Sequence, residues 1–210
     1  TVALTQVLDA AGVSYGILGK DELCCGDSVR RLGNEYLFEQ MANQNVEMLI
    51  ERGVKKVITQ CPHCFTTLKN DYRQYGLELE VMHHSEMIDS LIKEGKLELR
   101  FKADQKVVFH DSCYLGRHND VYEAPRNVIS STGAEVLEME RNHEKSFCCG
   151  AGGGRMWMEE DLGSRINENR VNQALEQSPD SICVSCPYCM TMFEDGLKDV
   201  GKEAVSVHDR

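Results

Sequence analysis

The chain contains one cysteine pattern twice, and this duplication restricts its fold more than any other feature. Cys24-Cys25-Gly26 recurs as Cys148-Cys149-Gly150, and Cys61-Pro-His-Cys64 recurs as Cys186-Pro-Tyr-Cys189 at nearly the same offset. A shared register of four cysteines, a glycine and a proline indicates an internal repeat. We therefore predict two related modules, residues 1–102 and 103–210, with their boundary near Phe101–Asp104.

Strand and helix patterns alternate in each half. Short β-branched runs predict strands at Val54–Thr59, Lys106–His110 and Ser181–Ser185. Helical spacing of apolar residues predicts helices at Tyr36–Arg52 and Glu159–Glu176, and further helices open at the two Cys-Pro motifs. Alternation of this kind predicts an α/β fold of two pseudo-symmetric, Rossmann-like modules with parallel strands. The cysteine motifs then lie at the carboxyl ends of strands, where such folds bind ligands.

Composition limits the classes of partner. The 210 residues carry a net charge of −11, which argues against nucleic acid and anionic membrane surfaces. No stretch approaches the roughly 18 apolar residues of a membrane span, so we expect no insertion by this segment. The chain begins at Thr1 within a helical pattern, and we expect it to be part of a longer protein.

The ten cysteines suggest ligands or catalysts rather than disulfides, because nothing marks the chain for export. Cys-x-x-Cys alone is compatible with zinc, iron–sulfur or thiol redox chemistry. The adjacent pair Cys148-Cys149 is harder to reconcile with a single tetrahedral ion, since neighbouring side chains diverge. The second half offers five cysteines where zinc or a cubane cluster needs four, which suggests a cluster with an additional thiolate.

The pattern Cys113-x34-Cys148-Cys149-Gly150-x35-Cys186-Pro-Tyr-Cys189 resembles the cysteine-rich CCG domain. That domain occurs twice in one of the subunits of heterodisulfide reductase, with relatives in glycolate and lactate oxidase iron–sulfur subunits and anaerobic glycerol-3-phosphate dehydrogenase. The segments His110–His118 and Gly152–Glu160 look most like membrane-associated proteins that pass electrons from acyl-CoA dehydrogenase and electron-transfer flavoprotein toward menaquinone. The resemblance spans essentially the whole chain.

This resemblance implies an iron–sulfur oxidoreductase that relays electrons between a flavoprotein or ferredoxin-type partner and a quinone- or disulfide-reducing site. Haem-bearing membrane segments are further expected partners, and the expected location is the cytoplasm or the cytoplasmic face of the membrane. The implied cofactor is a [4Fe-4S] cluster of the non-cubane type, with zinc an option in one module. The implied ligands are the cysteines of both motifs: Cys24, Cys25, Cys61, Cys64, Cys113, Cys148, Cys149, Cys186 and Cys189.

Several alternatives stay open at this point. The chain could be a zinc-stabilised scaffold that docks redox subunits, or it could reduce a heterodisulfide at the cluster itself. Arg117, His118 and Arg155 flank the second motif and either bind substrate or tune the charge of a bound cluster, or they serve as structural ion pairs and core. Cys183 has no counterpart in the first half, and we predict a buried apolar role for it.

The two modules are expected to differ in occupancy. The first shows Cys24, Cys25, Cys61 and Cys64 without a leading cysteine, whose place falls before Thr1. We therefore expect the second module to hold the better-occupied site.

Overall fold

A computed structural model of the chain describes residues 2–99, 102–160 and 163–209. The chain divides into two compact units, residues 1–98 and 99–210. The boundary predicted near Phe101–Asp104 lies partly outside the described residues, so the module limits 1–102 and 103–210 stay a prediction.

In its described part, the first unit combines helices with a two-stranded parallel sheet in which Val57 lies opposite Val81. Phe38, Leu49 and Tyr72 are buried in its apolar core. Its elements, in chain order, are α1 (Val2–Ala10), α2 (Asp27–Arg31), α3 (Glu35–Glu51), β1 (Lys56–Thr59), α4 (Pro62–Lys69), β2 (Glu80–His83) and α5 (His84–Lys93).

The second unit is built on a four-stranded sheet whose strands are all parallel. Its elements are β3 (Lys106–Phe109), α6 (Glu123–Ser131), β4 (Glu135–Leu137), α7 (Ile166–Leu175), β5 (Ser181–Val184), α8 (Pro187–Asp199) and β6 (Ser206–Asp209). The strand order β4-β3-β5-β6 places β3 and β5 at the centre. The predicted α/β class with parallel strands is confirmed.

One predicted helix is too long at its start. Apolar spacing predicts a helix over the whole interval Glu159–Glu176, but α7 begins at Ile166. Arg165 is extended, with φ −62° and ψ 140°, and Glu160 Oε2 accepts a hydrogen bond from the amide of Ile166. Glu160 therefore satisfies a free amide at the helix start rather than extending the helix. Asp161 and Leu162 lie outside the described residues.

Strand β5 separates two apolar layers in the second unit. Ile182 and Val184 belong to the core that also contains Cys149, Cys186 and Cys189. Cys183 belongs to another core cluster, with Val107, Phe109 and Ile129. Because successive side chains of a strand point to opposite faces, Cys183 lies on the sheet face opposite to the motif cysteines.

Candidate metal centre

Each Cys-Pro motif directly follows a strand and opens a helix. Cys61 and Cys186 are the extended residues that precede α4 and α8, and Pro62 and Pro187 occupy the first helical position. Proline suits this position because its fixed φ is helical and it has no amide hydrogen to leave unpaired. The cysteine sulfurs are consequently held near helix N-termini, where the aligned backbone dipoles favour thiolate.

The structure brings the five cysteines of the second unit into one continuous set. The sulfurs of Cys149 and Cys189 are 3.2 Å apart. Side-chain hydrogen bonds link Cys113 to Cys148, Cys148 to Cys149, and Cys189 to Cys186. Three of the five, namely Cys149, Cys186 and Cys189, are buried. The set therefore offers a compact, sheltered group of soft sulfur ligands, although their assignment as ligands stays a prediction.

The hydrogen bonds concentrate negative charge on one sulfur. The thiols of Cys113 and Cys149 lower the pKa of Cys148, and the amides of Gly150 and Gly152 add to this effect. The same hydrogen bonds raise the pKa of Cys113 and Cys149. In the metal-free chain, the Cys148 thiolate thus accepts hydrogen bonds from the thiols of Cys113 and Cys149. A metal that binds all five sulfurs must displace these protons, so binding is favoured as the pH rises.

The backbone after the adjacent cysteines also faces the sulfurs. The amide of Gly150 donates to Cys148 Sγ over 3.3 Å, and the amide of Ala151 donates to Cys149. Gly150 has φ +98°, and a Cβ there would lie 3.2 Å from Cε of Met192. A glycine is needed because only glycine adopts this φ freely and has no Cβ to collide with Met192. Successive inward-facing amides of this kind stabilise anions such as thiolate or sulfide.

We predict that Gly150→Ala destabilises the chain and weakens metal retention. A non-glycine residue in a left-handed conformation costs on the order of 1–3 kcal/mol, and the new methyl group also crowds Met192. Denaturant titration and metal content would be compared with those of Gly152→Ala, where a Cβ meets nothing within 4 Å. Equal stability of the two variants would contradict the role assigned to Gly150.

The first unit gathers its four cysteines in a more open site. The sulfurs of Cys64 and Cys25 are 3.4 Å apart, and side-chain hydrogen bonds link Cys24 to Cys25 and Cys61 to Cys64. Hydrogen bonds from Cys24 and Cys64 lower the pKa of Cys25 to about 4. Cys24 is exposed and the other three are half-buried. The amide of Gly26 donates to Cys24 Sγ over 3.4 Å, and thus repeats the contact found after the second adjacent pair.

Polar side chains around the first set differ from those around the second. Asp27 is buried, and its carboxylate lies 2.7 Å from Nδ1 of His63 and 3.1 Å from Nε of Arg31. Asn45 donates to the carbonyl of Cys24 and to the hydroxyl of Tyr72. A carboxylate that pairs with Arg31 and contacts His63, together with the amide of Asn45, thus lies near this set.

The three residues that flank the second motif in the sequence have partners of their own. Arg117 donates to the carbonyls of Glu144 and Ser146 and thereby fastens the segment that leads to Cys148. The ring of His118 stacks on that of Tyr114, with centroids 4.7 Å apart. Arg155 pairs with Glu160 over 3.2 Å. A role for the three beside a cofactor stays a prediction.

A buried polar layer beneath the second cysteine set was not predicted from the sequence. His110, Cys149 and Cys189 each place a ligand-type atom within 4.8 Å of the others. Arg170 is fully buried, and its Nε donates to His110 Nδ1 over 3.2 Å. The sequence offered one signal for this layer, because Arg170 is a charged residue on the buried face of α7. Charged side chains are rarely buried without a specific partner.

An arginine already pairs with both carboxylates of a second group of possible ligands. Asp111, Glu138 and His143 lie close enough to hold a metal ion. Arg126, however, donates to both oxygens of Asp111 and to both oxygens of Glu138, at 2.7–2.9 Å. Burial alone would raise the pKa of Asp111, but these hydrogen bonds lower it overall. This group is therefore a structural ion-pair network rather than a metal site.

Two bacterial proteins are closely similar to this chain. The family model described as CCG, Cysteine-rich domain, matches residues 1–69 and 107–194. The chain is 48% identical over 215 residues to EtfAB:quinone oxidoreductase of Syntrophomonas wolfei, covering 99% of this chain and 30% of that protein. It is 47% identical over 204 residues to the probable iron-sulfur-binding oxidoreductase FadF of Bacillus subtilis, covering 97% of this chain and 29% of that protein.

A third relative comes from Methanosarcina barkeri. It is a subunit of dihydromethanophenazine:CoB--CoM heterodisulfide reductase and is 37% identical over 214 residues, covering 99% of this chain and 52% of that protein. The chain thus spans between about a third and a half of the length of these relatives. The family match over most of the chain, together with the duplicated cysteine sets found in both units, shows that the chain belongs to the CCG cysteine-rich domain family.

Proposed function

We propose that the chain is the cluster-bearing part of an iron–sulfur oxidoreductase and that it relays electrons. The observation that carries this proposal is the continuous set of Cys113, Cys148, Cys149, Cys186 and Cys189. Thiolates are the ligands that iron–sulfur clusters use, and this set lies where α/β folds bind their cofactors.

The residues present suit such a cluster. The five sulfurs supply a soft, anionic donor set, and the amides of Gly150, Ala151 and Gly152 donate into it. Gly150 lets the backbone turn beside the sulfurs, at a position where a side chain would collide with Met192 and Ile166. When bound, a [4Fe-4S] cluster of the non-cubane type would supply one-electron redox chemistry. The chain would hold it, shelter it from water and set its electrostatic surroundings.

The relatives suggest the partners. One is named an EtfAB:quinone oxidoreductase, another an iron-sulfur-binding oxidoreductase, and a third belongs to a heterodisulfide reductase. We propose that electrons arrive from a flavoprotein or ferredoxin-type donor and leave toward a quinone- or disulfide-reducing site, with haem-bearing membrane segments as further partners. The proposed location is the cytoplasm or the cytoplasmic face of the membrane. Among the described residues, no helix combines the length and apolar character that a membrane span requires.

Anaerobic purification, or reconstitution with iron and sulfide, tests the proposal. We expect a brown protein with broad visible absorption that bleaches on reduction, and acid-labile sulfide in proportion to iron. A colourless protein that carries only zinc would instead support a scaffold without redox chemistry. Cluster-bound protein that cleaves a heterodisulfide directly would move the assignment from electron relay to catalysis at the cluster.

A further inference from the structure

Arg170 is a buried cation that lies beneath the second cysteine set. Its side chain has no exposed surface, and all three guanidinium nitrogens donate hydrogen bonds. Nε donates to His110 Nδ1 over 3.2 Å, one terminal nitrogen donates to Ser146 Oγ over 3.1 Å, and the other donates to Gln173 Oε1 over 2.8 Å. All three acceptors are neutral groups, because a histidine whose Nδ1 accepts a hydrogen bond is a neutral imidazole.

Among the described residues, no carboxylate pairs directly with Arg170. The nearest candidate by charge is Asp111, but both of its oxygens are taken by Arg126. Burial lowers the pKa of Arg170 to about 10, which still leaves it charged at neutral pH. A buried charge is unfavourable unless nearby negative charge compensates it. Asp111 acts on Arg170 with the required sign, and the sulfurs of Cys149 and Cys189 add to its effect.

The hydrogen bond from Arg170 also fixes the tautomer of His110. A guanidinium group only donates, so Nδ1 of His110 must accept. A ring whose Nδ1 accepts is a neutral imidazole, so its single proton lies on Nε2. A metal-bound histidine donates from its other ring nitrogen, which is the opposite arrangement. His110 therefore has an N–H at Nε2 that can donate, rather than a lone pair for a metal, and one of its ring nitrogens lies within 4.8 Å of Cys149 and Cys189.

The first unit provides an internal comparison. The buried face of α7 consists of Asn167, Arg170, Val171 and Ala174, and that of α3 contains Ala42, Asn45, Val46 and Leu49 at the same spacing. Arg170 thus corresponds to Asn45, a neutral residue that donates to backbone and to Tyr72. The fold accommodates this helix position without a charge, so the shared architecture does not require Arg170.

We propose that Arg170 and His110 form a two-residue relay that raises the reduction potential of the second-unit cluster. Arg170 is a positioning residue: it supplies a fixed positive charge and orients His110, whose Nε2–H donates to the sulfur of Cys149 or Cys189. The inference rests on the proposed cluster. Positive charge and N–H donation to sulfur both stabilise the more negative, reduced state.

The midpoint potential of the cluster-loaded chain tests this relay. We expect Arg170→Gln to make reduction at least tenfold less favourable, which for one electron is a shift of about 59 mV to more negative potential. Arg170→Lys retains the charge and a donor and should recover most of this shift. Lys198→Gln removes an exposed, solvent-screened positive charge from the same unit and should leave the potential nearly unchanged. A potential in Arg170→Gln equal to that of the unaltered chain would overturn the proposal.

A second measurement, made on the unaltered chain, tests the proposal even if the Arg170 variants do not fold. Pulsed electron paramagnetic resonance of the reduced, ¹⁵N-histidine-labelled protein would report the nitrogen nearest the cluster. We expect a weak ¹⁵N coupling that disappears in His110→Leu. The strong coupling of a directly bonded nitrogen, or no coupling at all, would overturn the relay. Absence of any cluster in the unaltered chain would instead refute the proposed function, so the two failures are distinguishable.

Discussion

Replacing Cys149 with alanine should remove most of the iron and sulfide from the chain. Cys149 is buried at the centre of the second set, with its sulfur 3.2 Å from Cys189 and hydrogen-bonded to Cys148. Its loss breaks the sulfur set in the middle and leaves the amide of Ala151 without its acceptor. Iron and acid-labile sulfide per chain, measured after anaerobic purification, would report the effect.

Cys183→Ala is the matched control for this experiment. Both cysteines are buried, and both variants lose only a sulfur atom. Cys183, however, packs with Val107, Phe109 and Ile129 on the opposite face of the sheet. We expect its replacement to keep the iron content and to cost about 1 kcal/mol as a small core truncation. Loss of iron from Cys183→Ala, or its retention in Cys149→Ala, would contradict the proposed ligand set.

The elements that carry the cysteines could be predicted from local sequence. Strand β5 is a short apolar run that ends one residue before Ser185, and Pro187 opens α8 as its fixed φ requires. The internal repeat adds evidence on the placement of the cysteines that local patterns do not provide. Because Cys61 and Cys186 recur in register, the sequence indicates that both follow a strand in the same way.

The polar surroundings of the sites could not be predicted in the same way. Arg170 meets His110 across 60 positions of chain, and Arg126 meets Asp111 across 15. Pairs of this kind depend on which helix packs over which strand, and periodicity does not give that information. The predicted start of α7 was wrong for a related reason. Glu160 suits a helix by propensity, but its carboxylate accepts a hydrogen bond from the amide of Ile166, where the helix begins.

The two units should differ in the metal that they hold. The second set has five cysteines, three of them buried, and the positive charge of Arg170 beneath it. The first set has four within these 210 residues, with Cys24 exposed. Asn45 stands where the second unit has Arg170, and the carboxylate of Asp27 acts on Cys24. An anionic cluster is therefore better sheltered in the second unit and has a buried cation beneath it, whereas the first set offers the four ligands that an ion such as Zn²⁺ takes.

Metal analysis of matched variants tests this asymmetry. We expect about one cluster per chain, in keeping with one complete five-cysteine set. Cys149→Ser should remove that cluster and leave any zinc in place. Cys25→Ser changes the residue at the same position of the first motif, and it should remove zinc while iron and visible absorption stay nearly unchanged. Two clusters per chain, or equal loss of iron from the two variants, would show that the first set also holds a cluster and that the charges around the two sets do not select between metals.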